Sequence, residues 1–209
     1  MATEIEIKLN LLDEENYSRL LGHLGVTGKE IRQENYFFDT DRLDLGRAGW
    51  ALRIRIENDI AAIAVKGPAS ENPDGLAIRP ETTVPLPIRR AARFINRGFQ
   101  LQELPPSLRE HLHGYAGNDI LKPLLQFANL RTTVDYPAGE NTLALEVDQT
   151  IFADKSINYE LEVELAGIEE YDRVMAVLAA LFNKIAIPIV VQKESKFARA
   201  MRKINREQI

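Results

Sequence analysis

The chain has 209 residues, with 26 lysines and arginines, 31 aspartates and glutamates, a net charge of −5 and no cysteine. Disulfides, thiolate metal sites and cysteine nucleophiles are therefore excluded, and three histidines (His23, His111, His113) cannot build a histidine-rich zinc centre. No apolar run approaches the roughly 20 residues of a membrane span, the acidic N-terminus does not read as a secretory signal, and an acidic chain is a poor partner for nucleic acid, so a cytoplasmic protein with no membrane or stable nucleic-acid partner is expected.

The first strand is expected from about Glu4 to Leu11, where Glu4-Ile5-Glu6-Ile7-Lys8-Leu9 alternates charge and hydrocarbon with period two. Asp13 reads as an N-cap. Tyr17, Leu20, Leu21 and Leu24 give a helical stripe that Gly25 stops. A second strand is expected over Ile31 to Asp39, then a polar connection from Thr40 to Gly49. Trp50 to Glu57 reads as a strand with Arg53 and Arg55 on one face and Leu52, Ile54 and Ile56 on the other. Asn58-Asp59 predicts a tight hairpin turn, with Ala61 to Lys66 as the returning strand. A turn-rich loop follows over Gly67 to Gly75. Leu76 to Leu86 reads as a strand carrying Arg79, Glu81 and Thr83 on one side.

Residues 88–127 read mainly as helices, an insertion on the domain whose arginines (Arg89, Arg90, Arg93, Arg97) form a solvated face. His111 and His113 read as exposed loop or helix-end residues. Asn129 to Tyr136 and Thr142 to Gln149 predict a hairpin, and Asn158 to Leu165 another strand. Glu169 to Lys184 predicts an amphipathic helix with Val174, Val177, Leu178 and Leu181 as its stripe. A basic helix begins near Ser195. Strands arranged in hairpins predict an antiparallel sheet, and one α+β domain spanning residues 1–209 fits the length.

The polar faces of these strands are nearly all ionised. One carries Glu4, Glu6 and Lys8, another Arg53 and Arg55, and others Lys66, Arg79 with Glu81, and Arg131. Glu146 stands with Asp148, and Glu160, Glu162 and Glu164 line one strand. Any one strand alone fits a sheet with one face in water. Taken together they do not, because like charges are grouped by strand. Side chains at i and i+2 stand about 7 Å apart, so a row of glutamates repels unless cations sit among them. A closed barrel resolves the conflict, with a charged inner face and an apolar outer face covered by helices. Its carboxylates suit a hard cation such as Mg²⁺ or Mn²⁺, and its guanidinium and ammonium groups suit phosphate.

Glu4-x-Glu6-x-Lys8 resembles the ExExK motif of the CYTH proteins, also called triphosphate tunnel metalloenzymes. Phe37-Phe38-Asp39-Thr40 resembles the family's second-strand motif, and Leu52-Arg53-Ile54-Arg55 its LRxR strand. Val65-Lys66 is similar to its following lysine. Arg79-Pro80-Glu81 is similar to the RPE of the bacterial inorganic triphosphatase branch. Leu145-Glu146-Val147-Asp148 resembles the EVD strand, Tyr159 to Leu165 the ELExE strand, and Ser195-Lys196-Phe197 the terminal SK motif.

The resemblance implies an eight-stranded antiparallel β-barrel tunnel with helices packed outside. It implies Glu4, Glu6, Glu162 and Glu164 as the main metal ligands, with Glu81, Glu146 and Asp148 as further ligands or supporting groups. It implies that Lys8, Arg53, Arg55, Lys66, Arg79, Arg131 and Lys196 contact a triphosphate. Glu160 is expected nearer the rim. Thr83 stands where many relatives place another acid. The histidine-rich CHAD domain that often follows in bacterial relatives is not expected in this chain.

The family hydrolyses inorganic triphosphate or thiamine triphosphate, cyclises ATP, or trims RNA ends. The leading expectation is metal-dependent hydrolysis of inorganic triphosphate. Glu146 and Asp148 would serve a second metal that activates water, and Lys196 would orient that water or stabilise the leaving phosphate. Trp50 shares the parity of Leu52 and Ile54, away from Arg53, so a dedicated base- or ring-stacking pocket is not expected, although Phe37 has the parity to lie near the charged face. The alternatives are a class IV-type adenylate cyclase, a thiamine triphosphatase, or a polyphosphate- or nucleotide-binding module without turnover. An exposed apolar edge would support a homodimer.

Overall fold

The computed structural model describes residues 1–26, 30–70 and 76–207, with side chains through residue 204. Its strands are β1 (Ala2–Asn10), β2 (Ile31–Asp39), β3 (Ala51–Glu57), β4 (Ile60–Lys66), β5 (Leu76–Leu86), β6 (Phe99–Gln100), β7 (Ile120–Ala138), β8 (Asn141–Phe152) and β9 (Ile157–Glu164). Its α-helices are α1 (Glu14–His23), α2 (Asp44–Arg47), α3 (Ile88–Arg97), α4 (Pro106–Ala116), α5 (Tyr171–Lys184) and α6 (Lys196–Glu207). The strands hydrogen-bond in the order β2-β3-β4-β5-β1-β9-β8-β7-β6, and β2 also pairs with β7. The sheet therefore closes on itself as an antiparallel barrel of eight strands, with the two-residue β6 beside β7 and helices outside. Closure removes the open edges that would otherwise invite mispairing.

The contacts gather into two compact units. One holds Met1–Thr3, Gln33–Ala69 and Arg79–Ala128; the other holds Glu4–Arg32, Ser70–Ile78 and the chain from Asn129 onward. In the first, the apolar faces of β3 and β4 (Leu52, Ile54, Ile63, Val65) pack with Phe94 of α3 and with Leu108 and Leu112 of α4. In the second, Ile7, Leu9, Leu145, Val147, Leu161 and Val163 pack with Leu20 of α1 and with Val174, Leu178 and Leu181 of α5. Each strand gives one face to hydrocarbon, as the period-two alternation predicts. Full burial of each such side chain contributes about 1.5–3 kcal/mol.

Local chemistry sets the boundaries. Asp13 caps α1 by accepting from the Asn16 amide at 2.9 Å. Asn58 and Asp59 both take positive φ, +46° and +66°. That is the conformation a two-residue turn needs to match strand twist, and it fixes the β3–β4 register. Two departures from expectation stand out. Residues 120–127 belong to β7, not to a helical insertion ending near 127. Pro123 and the adjacent Leu124-Leu125 mask the alternation, but Leu121, Leu125 and Phe127 are buried with even spacing of two or four. Phe99 of β6 pairs with Leu121. Helical structure in the middle of the chain is confined to α3, α4 and a single 3-10 turn at Leu101–Glu103. Residues 71–75 of the expected loop lie outside the described residues.

The second departure is α2, inside what read as a plain polar connection. Leu43 adopts φ +60° ahead of it. Asp39, 3% exposed, organises the segment. One carboxylate oxygen accepts from the Thr40 amide at 2.7 Å and the Leu45 amide at 2.9 Å, and the other from the Gly46 amide at 2.8 Å. A buried carboxylate thus satisfies amides at the start of a short helix that could not otherwise bond within it. Asp39→Ala is expected to lower unfolding free energy by about 1–3 kcal/mol, measured by urea denaturation. An unchanged midpoint would remove this carboxylate from the account of the segment's stability.

Candidate functional site

Register assembles the acids of the second unit. β1 and β9 place Glu6 opposite Glu164 and Lys8 opposite Glu162. β8 and β9 place Glu146 opposite Glu162 and Asp148 opposite Glu160. Glu146, Asp148, Glu160 and Glu162 thus form a two-by-two block of carboxylates on the charged face. Like charges directly across a sheet destabilise it, and burial makes the conflict worse. Asp148 is 0% exposed and Glu160 1%.

Four cations bind the block together. Arg131 of β7 makes a fork to Asp148, Nε to Oδ1 at 2.8 Å and Nη2 to Oδ2 at 2.6 Å. Its Nη2 also reaches Glu162 at 2.6 Å, and its Nη1 pairs with Glu146. Lys196, the first residue of α6, places Nζ 2.8 Å from Asp148, 2.9 Å from Glu162, and in contact with Glu160. Lys8 lies 2.7 Å from Glu6 and 3.3 Å from Glu162. Arg199, one turn along α6 from Lys196, closes the set by pairing with Glu160.

The titration behaviour follows. Burial alone would raise the Glu162 carboxyl, but Lys196, Lys8 and Arg131 hold it well below the usual carboxylate range. Burial works against the charge of Lys8 and Lys196, yet the carboxylates around each keep both ammoniums above the ordinary lysine value. Glu146 differs. Burial, reinforced by Glu162 and Asp148, raises it despite Arg131.

Asp148, Glu160 and Glu162 present oxygens within 4.8 Å of one another. An all-oxygen set of this compactness fits a small hard cation such as Mg²⁺ or Mn²⁺. The expected ligands distribute around it unevenly. Glu6 and Glu162 join the buried cluster, and Glu146 and Asp148 lie within it. Glu4 is half-buried farther along β1, and Glu164 is exposed at the end of β9. Glu160 is not at a rim: it is among the most buried acids. Its parity already placed it on this face; what strand parity omits is depth. Arg199 belongs to none of the motifs, but its spacing of three from Lys196 puts both on one face of a helix.

The first unit carries a basic face. Phe37 pairs with Arg53 and Asn35 with Arg55 across β2–β3, and Arg53 and Arg55 stand opposite Ala64 and Ala62 across β3–β4. Alanine at both positions leaves room for the guanidinium groups. Lys66 faces Glu81 across β4–β5, with Nζ to carboxylate at 2.8 Å, and Arg53 lies 3.7 Å from the same acid. Burial pushes Glu81 up, but Lys66 and Arg53 outweigh it and pull it down to about 2. Thr83 donates to Glu81 at 2.9 Å. Arg55 Nε donates to Asn35 at 3.1 Å, and Arg79 donates to the Gly67 carbonyl at 3.1 Å. Trp50 sits on the apolar side, its ring 6.0 Å from that of His111 and 6.1 Å from that of Tyr115. His111 is therefore half-buried within α4 and not an exposed loop residue, whereas His113 is exposed in the helix's last turn.

These shifts set a stability profile. Glu81 and Glu162 lie below the ordinary 4.5, so their contribution is present above 4.5 and lost as pH falls toward their folded values. Lys8 and Lys196 lie above the ordinary 10.5, so theirs is complete below 10.5 and lost only as pH rises past it. The melting temperature is expected to fall on acidification below 4.5 and on alkalinisation past 10.5, while Glu146, raised above 4.5, costs stability as it ionises above that value. Glu81→Gln is expected to lower the neutral-pH value and flatten the acid limb in calorimetry. A melting temperature that climbs through the acid limb would contradict this assignment.

Comparison with known proteins bears on the same residues. The CYTH domain model matches residues 2–200. A Bacillus subtilis (strain 168) protein provisionally named triphosphatase YjbK is 37% identical over 71 residues, which are 33% of this chain and 37% of that protein. The match thus spans little more than a third of that relative's length. A Hippeastrum protein provisionally named adenylyl cyclase HpAC1, and described as having a dominant triphosphatase activity, superposes with a TM-score of 0.81 at 24% identity, covering 96% of each chain. A provisionally named adenylate cyclase from Bacillus halodurans superposes with a TM-score of 0.73 at 24% identity, covering 95% of this chain and 98% of that one. At such identities the two solved structures establish the fold alone. The family match runs from β1 into α6 and takes in every charged strand described above, and this chain belongs to the CYTH domain family.

Proposed function

We propose that this protein is a metal-dependent triphosphatase that hydrolyses inorganic triphosphate to pyrophosphate and phosphate. The observation that carries the reading is the buried block of Glu146, Asp148, Glu160 and Glu162 interleaved with Arg131, Lys8 and Lys196. A face built only to anchor helices has no need of so many desolvated carboxylates. When bound, Mg²⁺ or Mn²⁺ supplies positive charge that neutralises phosphate oxygens and favours displacement at phosphorus. Asp148, Glu160 and Glu162 would hold it, with Glu6, Glu4, Glu164 and Glu81 as further or supporting carboxylates.

Lys8, Arg131 and Lys196, together with Arg53, Arg55, Lys66 and Arg79, are assigned to phosphate oxygens. Guanidinium forks match those oxygens in geometry as well as charge. Glu146 is the most accessible carboxylate of the block, with 35% of its side chain exposed, and is assigned the proton of the attacking water. Asp148 positions Arg131 and Lys196, and Lys196 stabilises charge on the departing phosphate. One family match over 2–200 supports a single domain. A cytosolic setting accompanies this reading; no helix among the described residues is long and apolar enough to cross a membrane.

The choice of inorganic triphosphate over an organic triphosphate rests on aromatics. Trp50 packs into the apolar cluster. Phe37 shares the face of Arg53 but is buried against Phe127, ring centroids 5.4 Å apart. Neither offers a free ring to a base or thiazole. Purified protein supplied with triphosphate, ATP, thiamine triphosphate or longer polyphosphate, with Mg²⁺ or Mn²⁺, is expected to release phosphate and pyrophosphate from triphosphate fastest, read by ion chromatography. Untouched triphosphate beside cyclic AMP from ATP would make it an adenylate cyclase. Tight binding without phosphate release would make it a binding module. Glu6→Gln is expected to lower metal-dependent kcat/KM by about 100-fold with the circular dichroism spectrum retained; full activity would remove Glu6 from the site.

A further inference from the structure

Lys196 occupies an unusual position for a lysine. It is the first residue of α6, and that helix has no acidic residue in its first turn. A positive charge there opposes the helix dipole, which favours anions at the N-terminus and cations at the C-terminus. The side chain is nevertheless held in place by three carboxylates at once: Asp148 at 2.8 Å, Glu162 at 2.9 Å, and Glu160. Those are the same three residues whose oxygens lie within 4.8 Å of one another. The ammonium thus sits on the oxygens that form the compact hard-cation set.

The neighbouring charges show what it does there. Five carboxylates (Glu6, Glu146, Asp148, Glu160, Glu162) meet four cations (Lys8, Arg131, Lys196, Arg199). Without Lys196 the trio would keep Arg131 on Asp148 and Glu162 and Arg199 on Glu160, leaving the acids in clear excess. A divalent ion bonded to these oxygens would lie close to the ammonium, and two cations cannot share one small carboxylate cage without strong repulsion. Glu160 is shared between Lys196 and Arg199, so a change at the trio reaches the second turn of α6 as well. Farther along, Lys203 holds α6 through Asp154 at 3.1 Å and through Ser156.

We propose that Lys196 is a tethered counter-ion of the Asp148–Glu160–Glu162 set, that it and a divalent cation are alternative occupants of those oxygens, and that metal entry frees its ammonium and loosens the first turns of α6 while Lys203 keeps the helix attached. This rests on the metal reading given above. It adds that the metal-free site is already compensated by its own chain to within one charge, five carboxylates against four cations, so metal affinity is set by competition. The ammonium released from the carboxylates becomes available to a phosphate oxygen only after the cation has arrived, which orders the two events.

The test uses Mn²⁺ alone, without substrate, titrated calorimetrically into wild type, Lys196→Met and Asp148→Asn, with circular dichroism as the fold check. A like charge at this range shifts an ionic equilibrium by about one to three powers of ten. Lys196→Met is therefore expected to bind Mn²⁺ at least about tenfold more tightly than wild type, and Asp148→Asn more weakly. In hydrogen exchange of the wild type, Mn²⁺ is expected to speed the amides near Ala198–Ala200 and leave those near Lys203 unchanged. Equal or weaker affinity in Lys196→Met, with Asp148→Asn impaired, overturns the competition and leaves the metal site standing. Wild-type affinity in Asp148→Asn, or no binding to any of the three, overturns the metal site itself. Should Lys196→Met fail to fold, the wild-type exchange experiment decides alone: unchanged protection of the first turns overturns the proposal.

Discussion

Everything in the charged half of this protein depends on neutralising the acids that β8 and β9 set face to face. Two carboxylates about 5 Å apart repel by about 3 kcal/mol at the effective dielectric of a protein site. The sheet register creates two such confrontations, Glu146 with Glu162 and Asp148 with Glu160. Arg131 answers three of these acids from β7, and Lys196 answers three from α6. Removing either cation would leave buried charge uncompensated, a loss typically of several kcal/mol. The basic residues assigned to phosphate are thus also what allows β7, β8, β9 and α6 to hold their places.

The apolar half carries the opposite obligation. Charged faces of this kind contribute little net stability, since desolvation consumes most of the Coulomb gain. Folding must be driven by the other side of the same strands. Ile7, Leu9, Leu145, Val147, Leu161 and Val163 are fully or almost fully buried beneath α1 and α5. Period-two alternation lets one strand meet both demands, and this is why substitutions on the charged face can alter chemistry while the packed face preserves the fold.

Much of this was legible in the sequence because alternation is a strong signal. Ile31–Asp39 and Leu76–Leu86 fall on the expected bounds, and Asn58-Asp59 turns as its composition demands. Parity also placed Arg53 with Arg55, and Glu160 with Glu162, on single faces. The misses share a cause: each depends on something nonlocal. Pro123 obscured a strand that its pairing with β6 and its buried Leu121 and Phe127 define. The depth of Glu160 depends on α6 arriving with Lys196 and Arg199. Asp39 looked like part of a strand motif, whereas its carboxylate serves amides as far along as Gly46.

Thr83 illustrates how the two charged faces differ. Many relatives place an acid at this position, and here its hydroxyl donates to Glu81. Thr83, Lys66 and Arg53 are all directed at Glu81, which steadies both bases. On that face strand parity sets Arg53, Arg55, Lys66 and Arg79 beside Glu57 and Glu81, a positive balance. On the face of the second unit the carboxylates outnumber the bases, and the unmet demand is for a cation. A second acid in place of Thr83 would have reduced the positive balance of the first face, which is a physical reason for a hydroxyl to serve there.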